Sequence, residues 1–256
     1  PRARREAMSW SRLYAGDVPI RVNKWLAQEG ACSRREAESA IAEGRIEIDG
    51  VKVNDPGRKI APGQTLTLQG AGAAFTAVLH KPIGYVSAQP EHGQIPAVRL
   101  LTRDRLVGAG EAPPRTLSLP ALGRLDLDSR GLLILSGDGV LARAVIGPES
   151  QLDKEYLVRV EGEISAKALD LLRFGLELDG RALKPAEIEA KGNVLRFILR
   201  EGRNRQIRRM CALVGLEVID LLRVRIGPLR FGDLAVVRWR LLEQAERAAL
   251  LSDQDG

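Results

Sequence analysis

The chain has 256 residues, enough for one large core plus a small extra domain. Apolar residues make up 45% and aromatics only 4%, so Leu, Val, Ile and Ala must fill that core, and no apolar run is long enough for a membrane helix. Formal net charge is +6, from 39 basic and 33 acidic residues, a balance that suits a polyanionic partner. Two distant cysteines, Cys32 and Cys211, and two histidines, His80 and His92, form no spaced metal-ligand set; a reducing, cytoplasmic setting is the simplest reading.

Residues 1–17 are basic without an apolar signal core and read as a flexible arm, with Arg2, Arg4, Arg5 and Arg12 able to touch RNA or simply remain solvated. The first ordered unit is expected over 18–69. Val22, Trp25 and Leu26 share one helical face that Gly30 interrupts. Ser33 and Glu36 have capping-box spacing for a second helix, which buries Ala37, Ala40 and Ile41 and ends at Gly44. Ile46 and Ile48, then Asp49-Gly50, then Val51 and Val53 predict a hairpin. Pro62-Gly63 marks a turn before a strand over Thr65–Leu68, and the small uncharged residues 70–74 read as a linker.

A larger domain is expected over 75–246, followed by a tail over 247–256. Its candidate strands are 75–80, 132–135, 156–160, 194–199 and 221–226; its candidate helices are 139–146, 165–174, with Ser165 as cap, and 204–214. Residues 88–122, rich in Pro, Gly and Arg, are expected to form long loops.

Charge is unevenly placed. Arg21, Lys24, Arg34 and Arg35 fall at the starts of the first two helices, where helix amides and guanidinium groups can meet phosphate; a solvated helix start is an equal alternative. From Arg196 to Arg230 there are nine arginines, three acids and no lysine. Arginine makes forked contacts to phosphate or carboxylate, and so few acids are nearby that a salt-bridged helix is the weaker reading. Arg205 and Arg209 are spaced for one helical face and Arg208 for another, so one guanidinium can point inward while others meet RNA.

Four segments, in order, carry a resemblance: His80-Lys-Pro-Ile-Gly84-Tyr, Gly123-Arg-Leu-Asp126-Leu-Asp-Ser-Arg-Gly131, Lys154-Glu-Tyr156-Leu-Val and Glu201-Gly-Arg-Asn-Arg-Gln-Ile-Arg208-Arg-Met. Together they resemble the pseudouridine synthases that modify ribosomal RNA, the RsuA family, and residues 18–69 resemble the alpha-L RNA-binding module named for ribosomal protein S4. The resemblance implies an α+β protein: the small module, then a domain with a mixed, mainly antiparallel sheet, flanking helices and a cleft across one face.

It implies isomerisation of uridine to pseudouridine with neither metal nor organic cofactor. The target base must first leave its stack, and a carboxylate must then act on it. Asp126 matches the family's essential aspartate. Asp128, two residues on, does not match and reads as a turn residue. Arg208 matches the basic residue that pairs with the aspartate, Tyr156 the active-site tyrosine, and Arg124 the arginine that helps open the RNA. Arg203, Arg205 and Arg209 are left as RNA contacts. Asp153-Lys-Glu-Tyr156 and Asn204 to Cys211 lean towards the branch acting on large-subunit ribosomal RNA, some of whose members also accept a transfer RNA; the small-subunit branch has the same architecture. A non-catalytic RNA-binding or assembly factor is the competing reading. A monomer and no membrane are expected. One departure stands out: Val237-Arg238 precedes Trp239-Arg240, where the family often has a glycine before its Trp-Arg pair.

Overall fold

The computed structural model describes residues 9–29, 31–32, 34–69, 75–87, 90–115, 117 and 119–252. The arginines at 2, 4 and 5, the Gly30 stop, the Ser33 cap and the linker over 70–74 lie outside them. Two compact units emerge, one up to Phe75 with Gly137–Arg143, the other Thr76–Ser136 with Ala144 onward. Among the described residues no helix is long and apolar enough to cross a membrane.

The first unit runs β1 (Trp10–Leu13), β2 (Ile20–Arg21), α1 (Val22–Gln28), α2 (Arg34–Ala42), β3 (Ile46–Ile48), β4 (Val51–Lys52), β5 (Lys59–Ile60) and β6 (Thr65–Leu68). The helical spacings do what they predict: Val22, Trp25, Leu26, Ala37, Ala40 and Ile41 are all buried in one core with Ile46, Ile48 and Leu66. The hairpin pairs Ile48 with Val51, and its two turn residues, Asp49 at φ 50° and Gly50 at φ 80°, both occupy the left-handed region that a tight two-residue hairpin needs.

β1 corrects the expected arm over 1–17. Trp10–Leu13 adds an edge strand to the sheet β1-β6-β3-β4, in antiparallel register with Thr65–Leu68. The physical reason is aromatic: Trp10 and Tyr14 both meet the buried Trp25 edge-on, at 5.7 and 5.1 Å between ring centres, and the Tyr14 hydroxyl donates to Val18 O. Arg12 is ion-paired with Glu29.

From residue 76 the elements are β7 (Thr76–Lys81), β8 (Tyr85–Val86), β9 (Ile95–Pro96), β10 (Ala121–Leu122), β11 (Arg130–Ser136), α3 (Gly139–Ile146), β12 (Lys154–Glu161) and α4 (Ala166–Arg173). There follow β13 (Glu177–Leu178), β14 (Arg181–Ala182), β15 (Glu187–Lys191), β16 (Val194–Leu199), α5 (Gln206–Leu213), β17 (Glu217–Ile226), β18 (Leu229–Arg230), β19 (Trp239–Leu241) and α6 (Gln244–Ser252). Nine strands form one sheet in the order β15-β16-β12-β17-β11-β7-β19, with β10 on β11 and β18 on β17. Every pairing in it is antiparallel except β11 with β17.

The inner strands β7 and β11 are buried almost throughout, which is why they read as continuous apolar runs rather than alternations. Ser165 caps α4 as expected, accepting from Ala168 N at 3.1 Å. Phe197 of β16, Val158 of β12, Leu172 of α4 and Ile207 and Met210 of α5 close the core around β12. The C-terminal tail is shorter than expected: Gln244–Ser252 is helical and buries Leu250 completely. Cys32 and Cys211 are free thiols.

Candidate active site

The segment Gly123–Ser129 joins β10 to β11, and its backbone is held at every carbonyl. Arg223 donates to Gly123 O and Arg124 O, and Ser87 Oγ donates to Leu125 O while accepting from Leu125 N. Ser129 N closes a turn on Asp126 O at 3.1 Å, and Gly84 N donates to Leu127 O. Arg208 Nη2 donates to Asp128 O at 2.8 Å and Lys81 Nζ to Ser129 O at 2.7 Å. A loop whose carbonyls are all engaged has a defined position, from which its side chains project.

Gly131 lets β17 approach this loop. It pairs with Arg223 across the parallel contact of β11 and β17, at φ 115°, and a Cβ there would lie 2.2 Å from Arg223 O. That approach brings the Arg223 side chain, 1% exposed, beneath the loop, where its Nε also donates to Leu132 O at 2.8 Å. Lys81, fully buried beside it, donates to Pro82 O as well as Ser129 O. Burial and then the Arg223 charge pull the Lys81 ammonium down to about 8, against the opposing pull of Asp126 and Asp128.

The loop opens into a cleft of about 560 Å³ lined by Arg124, Asp126, Lys154, Tyr156, Arg208 and Arg223 among others. Such a volume suits a nucleoside-sized ligand. The structure therefore brings Asp126, Tyr156, Arg208 and Arg124 to one place. β12 presents Tyr156 and Lys154, two residues apart, on the cleft side. Glu155 between them is buried and is bound by Arg196 at 2.9 Å, Arg225 at 2.8 Å and Arg230 at 3.2 Å; Arg225 also grips Asp153. Burial, the largest influence, pushes the Glu155 carboxyl up, but the hydrogen bonds from Arg196 and Arg225 and the nearby charges outweigh it and hold it at about 2.

The charge pairing differs from the expected one. Asp126 meets Arg205 Nη1 at 3.7 Å, and Arg208 instead sits beside Asp128, with Nε 3.3 Å from Oδ2 and Nη1 donating to Val218 O. Asp128 is thus more than a turn residue: both guanidinium nitrogens of Arg205 grip its carboxylate, at 3.1 and 2.8 Å, and this contact holds it below the usual carboxylate range. α5 starts at Gln206, two residues later than expected, because Arg205 takes a left-handed conformation at φ 48°. A non-glycine residue strained in this way beside a cleft is a feature that functional sites concentrate.

The expected RNA contacts divide. Arg203 is consumed by the protein itself, donating to Leu178 O, Arg181 O and Ala182 O at 2.8, 3.0 and 2.7 Å and so closing the β13–β14 hairpin. Arg209 pairs with both carboxylate oxygens of Asp179. Arg124 is exposed on the cleft wall, and Arg21, Lys24, Arg34 and Arg35 are exposed on the first unit. Sequence reasoning missed Lys81, Ser87, Lys154 and Arg223 as site residues. Lys81 and Lys154 do lie within the quoted motifs, but nothing local marks Arg223.

Residues 76–213 match the family described as RNA pseudouridylate synthase, and residues 20–66 match the S4 domain. An uncharacterized RNA pseudouridine synthase of Aquifex aeolicus is 34% identical over 246 residues, covering 91% of this chain and 94% of that one. The dual-specificity RNA pseudouridine synthase RluF of Escherichia coli is 32% identical over 238 residues, covering 90% of this chain and 78% of the relative. Among solved structures, a pseudouridylate synthase crystal structure superposes with a TM-score of 0.61 at 23% identity, covering 90% of this chain and 99% of that one, a likeness of fold.

Proposed function

Because the chain belongs to the RNA pseudouridine synthases and carries an S4 domain ahead of its catalytic domain, we propose that it isomerises a specific uridine of ribosomal RNA, in the large subunit, with Asp126 as the acting carboxylate. The observation that carries this reading is the position of Asp126. Its side chain, 29% exposed, projects from a loop held at every carbonyl into a cleft that it shares with Tyr156 and Arg208.

Each neighbour has a part. The uridine is taken out of its stack at a cost of a few kcal/mol, and Arg124 on the rim fills or steadies the vacated position. The Tyr156 ring offers a stacking face to the uracil, and its hydroxyl can relay a proton. Arg205 lies 3.7 Å from Asp126 and places a positive charge beside it, while Arg208 positions the loop through Asp128 O rather than pairing with Asp126. The large-subunit target rests on the Asp153-to-Tyr156 and Asn204-to-Cys211 motifs, and the similarity to RluF supports an RNA substrate. That relative is named dual-specificity, which favours a second RNA here too, and a transfer RNA is the one to try.

The test is conversion of uridine in transcribed ribosomal RNA. Asp126→Asn keeps the shape of the side chain and removes its charge; conversion is expected to stop while RNA binding persists. Pseudouridine mapping of ribosomal RNA from cells with and without the protein then names the target. An Asp126→Asn protein with full turnover refutes the assignment, and RNA binding without isomerisation of any uridine points to an assembly factor.

A further inference from the structure

Lys154 is a cation in the cleft whose attracting carboxylate, Asp153, is paired with Arg225 instead. It lies on the same side of β12 as Tyr156 and lines the cleft with Asp126. Arg203, Arg205, Arg208 and Arg223, which line the same cleft, are each held by two or more protein oxygens. Lys154 makes a single long hydrogen bond, Nζ to Leu152 O at 3.2 Å, and forms no ion pair among the described residues. Two of its ammonium protons are therefore uncommitted. Burial and then the Arg223 charge keep the ammonium below the ordinary lysine value. A half-buried ammonium beside a second cation is costly, and an incoming negative charge relieves that cost.

We infer that Lys154 is a further catalytic residue, whose ammonium donates to the uracil carbonyl oxygens as the ring becomes an anion. The inference rests on the reading of Asp126 and the cleft given above. When the C1′–N1 bond breaks, its electron pair stays on the ring, and the negative charge spreads onto O2 and O4. On the glycal route the sugar is balanced by loss of its 2′ proton to Asp126. After rotation, C5 bonds to C1′, the 2′ proton returns, C5 releases its proton and N1 takes one up. The product is an isomer of the substrate and no other reactant is needed. If Asp126 first adds to the ring, the charge appears on O4, within reach of the same kind of donor. A preorganised donor placed where charge develops in a sheltered cleft acts mainly on the transition state.

The test compares the wild type, Lys154→Met and Lys154→Arg in single turnovers on transcribed target RNA containing either uridine or 5-fluorouridine, read as disappearance of the substrate nucleoside, because a fluorinated C5 has no proton to release and the substituted ring cannot finish as pseudouridine. Fluorine stabilises the ring anion, so the substituted substrate depends less on the lysine. Lys154→Met is expected to lose about a hundredfold in single-turnover rate on uridine, with RNA affinity within about twofold of wild type. On 5-fluorouridine the loss is expected to shrink about tenfold. Lys154→Arg, which keeps the charge, recovers part of the rate. The alkaline fall in the wild-type rate, to which Lys81 beneath the loop also contributes, is expected to be shallower in the methionine variant.

Weakened RNA binding at an unchanged single-turnover rate makes Lys154 a phosphate contact and overturns the inference. An equal loss on both substrates makes its role one of packing and overturns it too. A wild-type protein inert on every RNA overturns the functional reading along with it, whereas an active wild type with a fully active Lys154→Met overturns the inference alone.

Discussion

Replacing Arg223 with methionine removes a guanidinium that is 1% exposed and donates to Leu132 O, Gly123 O and Arg124 O at 2.8, 3.0 and 3.2 Å. Methionine fills much of the stem's volume but offers no donor. Each buried carbonyl left without a partner costs roughly 1–3 kcal/mol, or about 3–9 kcal/mol for three. Against this, the variant no longer buries a charge whose partners are carbonyls rather than a carboxylate, which returns several kcal/mol. A net loss of about 2–4 kcal/mol is expected, equivalent to a fall in Tm of roughly 5–15 °C for a unit of this size. The activity effect is separable: with two of its anchors gone the loop shifts, and a misplacement of about 1 Å costs on the order of a hundredfold in rate. Differential scanning calorimetry gives the first quantity, and single-turnover conversion at a temperature where the variant is still folded gives the second. Arg223→Lys, which keeps charge but not the fork, should fall between the two proteins. A methionine variant with Tm within about 2 °C of wild type and full single-turnover rate refutes the claim that this guanidinium positions Asp126.

Gly131→Ala, whose Cβ would sit 2.2 Å from the Arg223 carbonyl oxygen at φ 115°, forces β17 away from β11 and should cost about 4 kcal/mol or more, seen as a lowered urea midpoint; an unchanged midpoint contradicts the close approach. Glu155 has its folded carboxyl depressed to about 2, so its contribution to stability is complete above its unfolded value, near 4.3, and is lost as pH falls towards 2. Urea unfolding at pH 6 and pH 3 should therefore show a steeper acid loss for the wild type than for Glu155→Gln. Val237 sits at φ 63°, a left-handed position costly for a β-branched side chain. Val237→Gly relieves about 1–2 kcal/mol of strain against roughly 0.4–1 kcal/mol of added unfolded-chain entropy, and a rise in Tm of about 1–3 °C is expected; a fall would mean that the valine side chain contributes more than its strain costs.

Much of the secondary structure was legible because its causes are local. Helical spacing of Val22, Trp25 and Leu26, the Asp49-Gly50 turn and the Ser165 cap are statements about neighbours a few residues apart, and a short window contains them. The motifs around Asp126, Tyr156 and Arg208 also indicated a common site. Other elements gave no local signal. Trp10–Leu13 lacks alternation and is a strand only because Thr65–Leu68 and Trp25 accept it. Glu187–Lys191 buries only Ile188, and the small Ala190 two positions on is exposed, so β15 has too short an apolar face to read.

Which charge meets which was decided by tertiary structure alone. Within the arginine-rich segment Arg203, Arg205, Arg208 and Arg223 look alike, yet one closes a hairpin, one grips Asp128, one holds a loop carbonyl and one lies buried beneath that loop. The Arg223 contact to Gly123 O spans 100 positions and the Arg208 contact to Asp128 O spans 80. A guanidinium binds whatever oxygen the fold brings within about 3 Å, and a sequence states the charge of each partner but not the distance between them. Residue types and their periodicity determined most of the helices and strands, and the motifs carried the resemblance to the family; the packing of β17 against β11 through Gly131 determined the positions of Asp126 and of the cations around it.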